Sequence, residues 1–157
     1  MIKISEIVEY KKNEKESFRL GQLREEWAAR YPQLFDEDDL RLARGQPKFH
    51  FVEWFGAIYF FKKSGYLSLV EQYIFRNHKR KGLIVSQIMP PTLIEFMRKS
   101  WIQPPDLLVF APDLTERYFC EVKSPTDQVS AKQEDYFSQL EVETGKPVYL
   151  LKLREKR

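Results

Sequence analysis

The chain has 157 residues, of which 43% are hydrophobic, 15% aromatic and 31% charged, enough material for one packed domain and too apolar for a chain disordered throughout. No run approaches the roughly 20 apolar residues that cross a bilayer, and the opening MIKISEIVEYKKNEKES is too charged for a secretory signal. The expectation is therefore a cytoplasmic protein, nucleoid-associated or in the host-cell cytoplasm if viral, with no membrane partner. The single cysteine, Cys120, excludes an intrachain disulfide and a cysteine zinc site.

A net charge of +3 points only weakly to nucleic acid when averaged over the chain, but its distribution says more. Residues 1–48 carry ten Lys/Arg and ten Asp/Glu, whereas 62–81 carry Lys62, Lys63, Arg76, Lys79, Arg80 and Lys81 against Glu71 alone.

The first 48 residues read as a helical extension. Leu20, Leu23, Trp27 and Tyr31 recur at helical spacing, and Pro32 discourages continuation. DEDDLRLARGQP follows as a short helix with acids in front and arginines behind, a run that suits the helix dipole better than a metal cluster. FHFVEWFGAIYFFKK, from Phe49 to Lys63, is apolar on most sides and predicts a largely buried helix stopped by Gly65. YLSLVEQYIF reads as a strand, RNHKRKG as a basic turn and LIVSQI as the return strand. Pro90 and Pro91 open a helix, TLIEFMRKSW, whose Leu93, Ile94, Phe96, Met97 and Trp101 suggest one packed face. DLLVFAP and YFCEVK, joined by DLTER, predict an antiparallel hairpin. The amphipathic helix VSAKQEDYFSQLEVETG and the strand PVYLLKL close the chain.

The hairpin carries the chemistry. Folding it about its turn brings Asp106 beside Glu121 and Lys123, and strand alternation puts Glu121 and Lys123 on one face with Cys120 and Val122 on the other. Two converging carboxylates supply the hard oxygen ligands that Mg²⁺ or Mn²⁺ prefers, and a neighbouring lysine can orient an attacking water or stabilise added negative charge.

Pro105-Asp106 followed by Glu121-Val122-Lys123 resembles the PD-(D/E)XK nucleases. The longer runs PPDLLVF, FCEVKSPTDQVSAKQEDYFSQL and ETGKPVYLL resemble their VRR-NUC branch, the virus-type replication and repair nucleases. The likeness covers 104–151 most fully and 49–75 less so. It departs from the family over the basic turn and the TLIEFMRKSW helix. It implies a restriction-endonuclease-like α/β (α+β) core, a mixed β-sheet flanked by helices, over residues 49–157. It also implies Gln133 as the family's helix glutamine, an acidic residue on a preceding helix, and the Val122 carbonyl as a further metal oxygen. Glu53 is the choice for that acid, since a carboxylate among apolar neighbours is costly to bury without a cation; Glu71 is the runner-up.

The expected activity is that of a Mg²⁺- or Mn²⁺-dependent DNA endonuclease, selective for branched, flapped or junction DNA in replication, repair or recombination. Asp106, Glu121, Lys123, Glu53 and Gln133 form its catalytic set, and Asp106, Glu121, Val122 and Glu53 its metal set. Lys79, Arg80 and Lys81 would contact phosphates from a turn tip, and a homodimer would place two sites against two strands. A sequence-specific restriction-type nuclease and a catalytically silent nucleic-acid-binding subunit are the alternatives. His50 and His78 are assigned to no metal.

Overall fold

The computed structural model describes residues 4–74 and 78–157. Five strands form one mixed sheet. β1 (Glu6–Lys11) lies at one edge, parallel to β5 (Tyr149–Lys156); β5 runs parallel to β4 (Arg117–Lys123), β4 antiparallel to β3 (Leu107–Phe110), and β3 antiparallel to β2 (Leu67–Val70) at the far edge. Helices cover both faces, which is the mixed α/β architecture the sequence predicts.

Strand alternation divides the core in two. Leu107, Val109, Cys120, Val122, Leu151 and Leu153 face α4 (Phe51–Ser64) and the aromatic residues Phe18, Trp27, Phe35 and Trp54. Leu69, Leu108, Phe110, Phe119 and Val148 face the other way, against α5 (Lys79–Ile88), α6 (Pro91–Ser100) and α7 (Ala131–Thr144). Phe35 stacks on Trp54 with ring centroids 3.8 Å apart, so the loop before α3 (Glu37–Gly45) is sealed onto α4.

Three expectations are corrected. The N-terminal segment begins with a strand: in EIVEYK, Tyr10 turns inward, Glu6 on the same face accepts from the Tyr59 and Tyr149 hydroxyls, and Glu9 and Lys11 put charge on the exposed face, where charge on an edge strand guards against pairing with other chains. The helix after it breaks at Gly21 (φ 112°) into α1 (Lys12–Leu20) and α2 (Gln22–Arg30), which leaves Leu20 70% exposed. Phe18 and Trp27 share a core with Phe51 and Trp54.

The second correction is the basic hairpin. Lys79–Ile88 is a helix whose N-cap is His78, the imidazole accepting from the Lys81 N–H at 3.2 Å. Its inward residues Lys81, Val85, Ile88 and Met89 recur at three- and four-residue steps, a periodicity masked by the apolar run in LIVSQI. β2 pairs with β3 instead of a return strand and stops at Val70, because Glu71 (φ 58°) and Gln72 (φ 51°) turn left-handed. Part of the expected strand and turn, residues 75–77, lies outside the described residues. The third is Trp101, placed on the packed face of its helix by periodicity, which caps α6 at φ 55° and is 85% exposed.

Among the described residues no helix is long and apolar enough to cross a membrane.

Candidate active site

The register of the β3–β4 hairpin, with Leu107 opposite Cys120, sets Asp106 opposite Glu121. Two hydrogen bonds lock that pairing: the Asp106 N–H donates to Glu121 Oε1 at 3.1 Å, and the Val122 N–H donates to Asp106 Oδ2 at 2.9 Å. The segment before Asp106 is held as well, since the buried Tyr73 hydroxyl donates to the Pro105 carbonyl at 2.7 Å.

Lys123 lies on the same strand face as Glu121, and its Nζ pairs with Glu121 Oε2 at 2.9 Å. Gln133 bridges both. Its Nε2 donates to Glu121 Oε2 at 3.0 Å and its Oε1 accepts from Lys123 Nζ at 3.2 Å. That orientation is fixed by the start of α7, where Ser130 Oγ accepts from the Gln133 N–H and Gln133 Oε1 accepts from the Ser130 N–H, both at 3.1 Å. The helix cap and the strand lysine therefore share one acceptor oxygen.

Glu53 reaches the same end of the sheet from α4. Gly56, one turn further along, makes the close approach possible: a Cβ there would stand 2.9 Å from Val122 Cγ2 and 3.3 Å from Leu107 Cδ1. Glu53, Glu71, Gln72, Gln103 and Asp106 line a cleft of about 170 Å³. Of the carboxylates, Glu53 gathers with Glu71 and His50 closely enough for one cation to be shared, and His50 Nδ1 lies 2.5 Å from Glu71 Oε1. Both sequence choices for the helix acid thus meet in one place, together with a histidine that sequence spacing left unassigned.

The electrostatics are those of crowded acids. Burial, reinforced by the charges of Glu121 and Glu53, pushes the Asp106 carboxyl well above the usual carboxylate range, against the opposing Val122 N–H. Burial and the charge of Glu71 push Glu53 up to about 7. Glu53 Oε2 is buried and has no hydrogen-bond partner among the described residues. An orphaned carboxylate oxygen facing further carboxylates is the environment a divalent cation relieves, so the donor set fits Mg²⁺ or Mn²⁺.

The basic residues expected at a turn tip behave differently from one another. Lys79 is exposed. Arg80 pairs with Asp36, its Nε donating to Oδ2 at 2.8 Å. Lys81 is fully buried, its Nζ donating to Asp39 Oδ1 at 2.6 Å and to the carbonyls of Val70 at 2.5 Å and Glu71 at 2.9 Å. The phosphate contact expected of Lys81 is corrected: its ammonium holds the left-handed turn that presents Glu71 to the cleft. Sequence reasoning had no signal for this, because an inward lysine inside KRK looks like any other.

No family model matches the sequence, and no curated protein matches it. Among solved structures, that of paFAN1 bound to 2nt 5′-flap DNA with gap is similar at 17% identity and a TM-score of 0.41, over 90% of this chain and 25% of that one. This chain thus spans about a quarter of that protein's length.

Proposed function

We propose that the protein is a Mg²⁺- or Mn²⁺-dependent DNA endonuclease of the VRR-NUC type, acting on branched or flapped DNA in replication, repair or recombination. The observation that carries this reading is the locked pairing of Asp106 with Glu121, with Lys123 and Gln133 beside it. Asp106, Glu121, Glu53 and the Val122 carbonyl would hold the cation, with Glu71 and His50 next to Glu53. When bound, such a cation would supply Lewis-acid chemistry: polarising a scissile phosphate, lowering the pKa of a bound water and offsetting charge on the leaving oxygen.

The chain's own groups do the rest. Lys123 presents its ammonium beside Glu121, where it can orient the attacking water and stabilise the extra negative charge of the transition state. Gln133 keeps that ammonium in place and is itself immobilised by the α7 cap. Pairing with a second copy would set two sites against two strands.

The test is incubation of labelled single-stranded, duplex, flapped and four-way-junction DNA with Mg²⁺, Mn²⁺ or EDTA. Metal-dependent cleavage favouring branched substrates supports the reading. Absence of cleavage on every substrate, from folded protein, refutes it.

A further inference from the structure

Trp101 stands at the C-terminal end of α6, 85% exposed, with Arg98 and Lys99 just before it in sequence. A cavity of about 540 Å³ lies there, lined by Gln72, Ile74, Arg98, Lys99, Trp101 and Gln103. Gln72 and Gln103 also line the acidic cleft, so the two hollows share a wall and follow one another along the surface.

The lining specifies its ligand. An indole face takes a flat ring, two cations take an anion, and two amides take the mixed donors and acceptors of a base edge. The volume falls within the roughly 300–1,000 Å³ typical of small-ligand sites. Arg98 is held at the rim by its Nε donating to the Ile74 carbonyl at 3.4 Å, and Lys99 pairs on the open surface with Glu95 at 2.8 Å, an exposed bond that a phosphate can replace. The neighbouring cleft bears carboxylates and so repels phosphate until a cation binds, whereas this hollow attracts it.

We propose that this hollow is a docking site for single-stranded DNA, in which Trp101 stacks on a base while Arg98 and Lys99 take the adjoining phosphates. It rests on the nuclease reading for its biological sense and deepens it: the unpaired arm of a branched substrate would lie on Trp101 while the strand to be cut enters the cleft.

The experiment is binding of a fluorescein-labelled oligo(dT) of about ten nucleotides in EDTA, with affinity read by anisotropy in every protein and tryptophan quenching read beside it in the wild type. Trp27 and Trp54 are buried, so quenching reports on Trp101. The expected result is quenching in the wild type, and affinity about fivefold to a hundredfold weaker in Trp101→Ala but largely kept in Trp101→Phe, as for other base-stacking positions. The double variant Arg98→Ala/Lys99→Ala should bind more weakly and with a shallower salt dependence. Equal affinity of wild type and Trp101→Ala overturns the proposal. So does a Trp101→Ala protein with unchanged DNA binding that has passed from dimer to monomer, since the indole would then belong to a protein interface. Because binding is read without metal, Trp101-dependent binding by a protein that cuts nothing sinks the nuclease reading alone, and metal-dependent cutting with Trp101-independent binding sinks this proposal alone.

Discussion

The backbone N–H of Val122 donates to the carboxylate of Asp106 across the β3–β4 hairpin at 2.9 Å, tying one proposed cation ligand to the peptide between two other proposed site residues, Glu121 and Lys123. Asp106→Asn keeps an oxygen to accept that bond but removes a charge that Glu121 and Glu53 oppose. The variant is expected to lose at least about a hundredfold in cleavage while its metal-free melting temperature rises, by about 2–4 °C for each kcal/mol of repulsion relieved. Calorimetry in EDTA beside a cleavage assay checks both. A lower metal-free melting temperature would show that the charge is stabilising as it stands.

Glu53 should report the cation directly. Its Oε2 lacks a hydrogen-bond partner among the described residues, and a bound cation would supply one. Mn²⁺ at about a hundred times its dissociation constant should stabilise the wild type by about 2.7 kcal/mol. Glu53→Gln should show a clearly smaller increment, measured by thermal shift at fixed protein concentration. An identical increment in both proteins removes Glu53 from the metal set.

Lys81 and Asp39 form a buried pair whose disruption leaves an uncompensated charge. Lys81→Met is expected to cost about 3–5 kcal/mol in denaturant unfolding. Adding Asp39→Asn should recover part of that stability, since the amide can still accept from the Asp36 N–H as the carboxylate does. Mn²⁺ affinity should stay weakened in the double variant, because the Glu71 carbonyl still lacks its donor. Recovery of full metal affinity along with stability would show that Lys81 acts only on folding.

Acid unfolding should reveal Asp36. Burial raises its pKa, but the Asp39 N–H and the Arg80 guanidinium outweigh that and hold it down to about 2, from an ordinary 3.8. A depressed carboxyl stabilises the fold fully above its unfolded value, and that stability is lost as pH falls through the folded value. Asp36 should therefore contribute about 2 kcal/mol above pH 4, most of it gone by pH 2. Arg80→Ala should flatten this part of the stability profile, as measured by urea unfolding between those pH values.

Much of the site was legible because a hairpin converts sequence distance into spatial order. Once DLLVF and YFCEVK were read as paired strands, Asp106 came near Glu121, whereas Gln133 came only from the family resemblance, and the Ser130 cap that orients it is visible only in the structure. What escaped reading depends on tertiary context. β1 is a six-residue charged edge strand whose partner, β5, lies at the other end of the chain. α5 hides its helical period in a run of apolar residues, and Lys81 looks like a surface cation until Asp39 and two carbonyls are seen around it. Glu71 and His50 meet only because β2 ends in a left-handed turn, for which a tandem Glu-Gln carries no marker.

Lys123, held by Glu121 and Gln133, is proposed to act in phosphodiester cleavage. The most direct test is single-turnover cleavage of a labelled flapped DNA with Mn²⁺ by wild type and Lys123→Met, with DNA affinity and melting temperature measured on the same samples. The expected result is cutting by the wild type that EDTA abolishes, and a variant that folds and binds the flap but cuts at least about a hundredfold more slowly. Equal rates from the two proteins would contradict it.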